Sequence, residues 1–159
     1  MNDKNITKRT VIFSTLMLLV LLYLVVSYVP FKQHIEQTVP AIVYINGEAS
    51  GTTTVQIDGK KAHYLRPGKS DKFSGKFAIE MYERTCRNGV NANVYWQTPS
   101  EYDYPHFNAR LIYMQSGSSF AMKHLLIDED MKQFILSLED GVVITTSEEI
   151  YQQHGAGYQ

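Results

Sequence analysis

Two textures of apolar residues divide the chain. From Val11 to Tyr28 (VIFSTLMLLVLLYLVVSY) they run together without a charge, a glycine or a proline. At the helical rise this run spans roughly 27 Å, close to the hydrocarbon thickness of a bilayer. With no polar face it exceeds what a small domain can hide, so a transmembrane helix is expected rather than a buried core helix. From Ala41 onward, apolar residues come in short runs cut by turn signals. Ala41–Asn46, Thr52–Ile57 and His63–Arg66 read as strands, separated by Asn46-Gly47 and Asp58-Gly59 and followed by Pro67-Gly68. Phe73–Glu83 alternates strictly and puts Phe77, Ile79 and Met81 on a core face. Val94–Gln97, Ala109–Gln115, Ser119–Ile127 and Val142–Thr146 add further strands. In Glu129–Leu138, Met131, Phe134, Ile135 and Leu138 instead fall at helical spacing, with Asp128 to cap the start and Gly141 to end the element. The fold class expected is a single N-terminal transmembrane helix plus a mainly-β domain, an antiparallel sandwich or meander, with one short amphipathic helix.

This pattern divides the chain into a cytoplasmic tail (1–10), a transmembrane helix (11–28), a juxtamembrane stalk (29–40), an extracytoplasmic β-rich domain (41–150) and a flexible tail (151–159). Pro30 and Pro40 bound the stalk. Lys4, Lys8 and Arg9 precede the apolar run, and positive flanks stay cytoplasmic, which places the C-terminal domain outside. A cleaved secretion leader is the competing reading, because Val39-Pro40-Ala41 offers small residues in a cleavage-like pattern. The apolar run is longer than the usual leader core of roughly 7–15 residues, and Ala41 lies far beyond its end, so an uncleaved anchor is favoured.

Composition narrows the partners. Lysine and arginine total 15 against 16 acidic residues, so no overall basic excess points to nucleic acid. The mean hydropathy of -0.22 fits one very apolar segment joined to an ordinary soluble composition. Cys86 is the single cysteine, so no internal disulfide can form; a bacterial cell envelope suits that better than a disulfide-stapled extracellular module.

No catalytic, metal or cofactor pattern emerges. Arg84 and Arg87 flank Cys86, but no local signature joins that thiol to a histidine base. The five histidines show no metal-ligand spacing, and Asp128-Glu129-Asp130 lacks the alternation of a calcium loop. Two surface features carry the functional expectation. Tyr95–Phe107 mixes aromatic rings with carboxylates, the chemistry that holds sugar rings, and offers Trp96, Tyr102, Tyr104 and His106 as ligand contacts. Lys60, Lys61, Arg66, Lys69, Lys72 and Lys76 form a basic stretch suited to anionic lipid or an anionic envelope polymer. The expected function is therefore a membrane-anchored, non-enzymatic binding or interaction module, integral to the membrane by a single span, whose partner is an envelope polymer or protein. One alternative is an envelope hydrolase using Glu101 or Asp103 with His106; another is an accessory subunit of a membrane complex.

Overall fold

A computed structural model describes residues 3–66, 68–97, 107–115, 117–138 and 141–155. Helix α1 spans Asp3–Tyr28, and its segment Thr10–Tyr28, of mean hydropathy 2.5, has no residue buried against the rest of the chain. By length and composition it is able to cross a membrane. Residues 29 and 30 follow, and the chain then enters β1 (Phe31–Ile45) and β2 (Glu48–His63). Next come β3 (Lys72–Ile79), the one-turn helix α2 (Glu83–Cys86), β4 (Asn91–Trp96) and β5 (Phe107–Gln115). The remaining elements are β6 (Ser118–Ala121), β7 (His124–Ile127), β8 (Phe134–Ser137), β9 (Val142–Thr145) and helix α3 (Glu148–His154).

All pairings are antiparallel. β1 to β5 pair in chain order, β5 pairs onward with β7, β7 with β8 and β8 with β9. β9 returns to β1 to close an eight-stranded barrel, with β6 as an extra strand on β5. β6 and β7 lie on the same edge of β5, β6 beside Ile112–Gln115 and β7 beside Phe107–Ala109. The β-rich expectation holds, and the sheet is a closed barrel in place of the expected antiparallel sandwich or meander. Closure leaves less unpaired sheet edge than an open arrangement of short strands would, with the first part of β1 still an edge. Phe73, Phe77, Leu111, Tyr113, Phe134 and Leu136 fill the interior. The Tyr113 hydroxyl donates to the Phe77 carbonyl at 2.8 Å inside that core. An eight-stranded barrel is just wide enough for such a filling, so the middle is packed and the accessible space lies at the ends.

Several local expectations are corrected. Residues 31–40, expected in a stalk, form most of β1, with Val39 opposite Val55 and Pro40 opposite Thr54. Pro40 is accommodated because β9 pairs only with Ile42–Ile45, leaving this part of β1 as a sheet edge. Asn46-Gly47 does turn the chain, both residues at positive φ, as a two-residue hairpin requires. Asp58-Gly59 does not: β2 runs straight through it, and Gly59 faces Gly75 across the β2–β3 ladder. Met81 lies beyond the end of β3 and is exposed. Ser119–Ile127 is interrupted between β6 and β7.

The largest correction is at residues 129–138, which form no helix. Asp128 instead closes a tight turn: its Oδ1 accepts from the Lys132 and Gln133 amides at 2.7 and 3.0 Å. Met131 sits at φ 60°, outside helical geometry, with its side chain fully buried in the barrel. β8 then buries both faces. Phe134 and Leu136 point into the barrel, while Ile135 packs outside it with Tyr44, Leu126, Val143 and Ile150. Such a strand loses its alternation and imitates helical spacing. The cover over that outer face is α3, part of which was expected as flexible tail. The Ser147 hydroxyl caps it by accepting from the Ile150 amide at 3.3 Å, and Tyr151 stacks on Tyr44 with ring centres 3.6 Å apart.

Candidate functional site

One barrel end, formed by the start of β1, the end of β2, the start of β3 and the end of β4, is the end that follows α1. Inward positions along β2 alternate through Val55 and Ile57, and that parity carries Lys61 into the barrel mouth. Lys61 is only 9% exposed. Its Nζ donates to the Glu129 carbonyl at 2.9 Å, lies 3.7 Å from Asp71 Oδ2 and sits 5.0 Å from the centre of the Trp96 ring. An ammonium withdrawn from water needs this set of acceptors, because a buried cation without partners is costly. Asp71 serves a second cation-capable group, with its Oδ2 2.8 Å from His63 Nδ1, and also accepts from the Tyr64 amide at 3.2 Å. Trp96 is 6% exposed, and its indole N–H is buried with no acceptor among the described residues.

These groups line a cavity of about 250 Å³ together with Tyr64, Lys69, Ser70, Gln97 and Glu129. Its floor is held from two directions. The Trp96 amide donates to the Asp71 carbonyl at 3.2 Å, tying β4 to the approach to β3. Gln37 of β1 donates from Nε2 to the Asp130 and Met131 carbonyls at 3.1 and 2.9 Å, fixing the turn that crosses the mouth. The chemistry available is recognition through a cation, an imidazole–carboxylate pair and an aromatic wall. An imidazole oriented by a carboxylate is also half of an acid–base apparatus. Ser70 shares the cavity, but no hydrogen bond joins its hydroxyl to His63 among the described residues.

The expected ligand contacts divide sharply. Trp96 belongs to the core and shows the cavity only part of its surface. Tyr102, Tyr104 and His106 lie outside the described residues, as do Glu101 and Asp103 of the hydrolase alternative. The basic stretch also separates. Lys61 faces inward and is corrected from surface contact to part of the mouth network. Lys60 is exposed on β2 opposite His34, and Lys76 donates to Gln56 Oε1 at 2.9 Å on the outer wall. Arg66, Lys69 and Lys72 gather at the mouth, each over an aromatic ring: Tyr28 at 5.0 Å, Tyr64 at 3.8 Å and Tyr95 at 5.0 Å. The sequence reading missed the Lys61–Asp71–His63 cluster. The parity of β2 was the available signal for Lys61, and reading Gly59 as a turn broke it.

Elsewhere, Cys86 ends α2 and its thiol donates to the Ile79 carbonyl at 3.2 Å. Among the described residues, no three His, Cys, Asp or Glu side chains gather as a metal site. No family model matches the chain, and neither the curated proteins nor the solved structures contain a match.

Proposed function

We propose that this chain is a membrane-anchored, extracytoplasmic binding module of the cell envelope that works at the bilayer surface through the α1-proximal mouth of its barrel. The observation that carries this reading is the junction: α1 ends at Tyr28 and β1 begins at Phe31. Two intervening residues reach at most about 11 Å even when fully extended with the next bond. A helix spanning the bilayer therefore holds the mouth, with its cations and aromatic rings, close to the headgroups.

The same junction supports an uncleaved anchor. Cutting at Val39-Pro40-Ala41 would remove residues 31–40, the larger part of β1, which pairs with Thr54–His63 of β2. Those β2 residues carry Ile57 in the core and Lys61 in the mouth, so a product beginning near Ala41 would open the barrel. The flanking charges Lys4, Lys8 and Arg9 support an outside C-terminal domain.

Protease treatment of intact cells expressing the chain with a tag at each terminus tests the reading. The C-terminal tag is expected to be lost while the N-terminal tag survives until the cells are opened. A protected C-terminal tag, or a free product whose first residue lies near position 41, would overturn it.

A further inference from the structure

We infer that the β2–β3 loop docks on anionic lipid, with Leu65 entering the boundary between headgroups and acyl chains while Arg66, Lys69 and Lys72 bind the lipid phosphates. The inference rests on the proposed span of α1 and names the partner of the mouth it anchors.

Strand register brings this loop to the helix end. His63, the last residue of β2, pairs with Phe31, the first of β1, so the loop leaves the barrel directly beside the α1 junction. The Arg66 guanidinium reaches back to within 5.0 Å of the centre of the Tyr28 ring, on the last residue of α1. Leu65, two residues beyond His63, is 52% exposed, and Phe31, the partner of His63, is 56% exposed, so both lie at this end of the barrel. Apolar side chains flanked by cations and tyrosines match the composition of a membrane interface, where rings sit at headgroup level and cations reach phosphate.

Charge selects the lipid. Between Lys60 and Lys76 the single acid is Asp71, and its carboxylate is turned toward Lys61 and His63. The one carboxylate beside Arg66, Lys69 and Lys72 is thus engaged by Lys61 and His63. Glu129 and Asp130 lie on the turn between β7 and β8, where Lys132 Nζ is 3.9 Å from Asp130. Among the described residues the mouth is therefore lopsided, basic at β2–β3 and acidic at β7–β8, which tilts the docked barrel onto its basic side. An acidic protein would offer similar charges, but the tether presents the loop to the bilayer at high effective concentration. Each cation near an anionic surface contributes about fivefold to the docked population, so the three together contribute about a hundredfold.

The test uses the full chain with Cys86→Ser, labelled with an environment-sensitive fluorophore at Leu65→Cys or, at the far end of the barrel, at Ala49→Cys. It is reconstituted in nanodiscs of phosphatidylcholine alone or of phosphatidylcholine mixed with phosphatidylglycerol. With phosphatidylglycerol present, the label at position 65 is expected to shift to the blue and resist an aqueous quencher. Reversal of Arg66, Lys69 and Lys72 to glutamate is expected to abolish both effects, with Trp96 emission unchanged as a check on the fold. The label at position 49 should remain quenchable throughout. A chain that stays in the bilayer after a carbonate wash but keeps position 65 wet in both lipids overturns the docking and leaves the anchor standing. Burial of position 65 that ignores lipid charge and charge reversal overturns the anionic-lipid assignment. Loss of the chain from the bilayer in the wash overturns the span, and the docking with it.

Discussion

Replacing Gly59 by alanine tests the close approach of β2 and β3 backbones in the barrel. A Cβ built at position 59 would lie 2.5 Å from the Ser74 carbonyl oxygen, 2.7 Å from Phe73 Cζ and 2.8 Å from Gly75 Cα, where ordinary contact begins at 3.4 Å. Two of these three atoms are backbone of β3, held by a ladder that runs from Val55↔Ile79 to Ala62↔Lys72. The third belongs to a fully buried ring. Relief therefore requires the strands to part or the Phe73 ring to leave its well, an overpacking cost of about 1–3 kcal/mol. Alanine returns about 0.5–1 kcal/mol by restricting the unfolded chain. The net is a loss of up to about 2.5 kcal/mol, centred on about 1 kcal/mol, which at that centre lowers Tm by about 3–5 °C for a domain near this size. Gly51→Ala supplies the control, since a Cβ there meets nothing within 4 Å and the backbone is not in the left-handed region. That variant is expected to melt at or slightly above the parent. Circular dichroism melts of the full chain in one detergent compare the three. If Gly59→Ala melts at or above the parent, the argument from close approach is refuted.

Three other perturbations probe the core, the outer helix and the mouth. Tyr113→Phe removes the hydroxyl bonded to the Phe77 carbonyl and is expected to cost about 1 kcal/mol near neutral pH. Burial holds the Tyr113 phenol well above the ordinary tyrosine range, with smaller contributions from Cys86 and Tyr82, so the native phenol stays neutral after the unfolded one ionises. The parent's stability is thus fully present below about pH 10 and falls as pH rises beyond it, by up to about 1.4 kcal/mol per pH unit for this group. The phenylalanine variant lacks that decline, so urea midpoints of the two should converge above about pH 10; a constant gap would contradict it. Ser147→Ala deletes the α3 cap and is expected to cost about 1 kcal/mol by urea titration, with amide exchange accelerated at Ile150; unchanged exchange would deny the cap its role. Met131→Ala empties a fully buried site in the barrel and is expected to cost about 2–5 kcal/mol, whereas a loss below about 1 kcal/mol would mean the turn over the mouth packs loosely.

The sequence by itself determined the elements whose burial is one-sided or absent. Val11–Tyr28 is legible as a helix long and apolar enough to cross a membrane because no charge, glycine or proline breaks the run, and Asn46-Gly47 because that turn asks for two residues at positive φ. Phe73–Ile79 shows through alternation that in the sequence runs on to Glu83, and Ala109–Gln115 shows as a strand that the structure begins two residues earlier, at Phe107. Tertiary structure decided everything that depends on a neighbour far along the chain. β8 is apolar on both faces because α3 covers its outside, and that cover converts a strand into an apparent helix. Gly59 is a strand residue because Gly75 and the Phe73 ring approach it from β3, a demand local sequence expresses in the same letters as a turn. Residues 31–40 are polar enough for a stalk yet pair along β2, since backbone hydrogen bonding is indifferent to side-chain polarity. Lys61 left the basic surface for the mouth when β2 proved continuous, because each strand position faces one side only and parity is set over the whole strand.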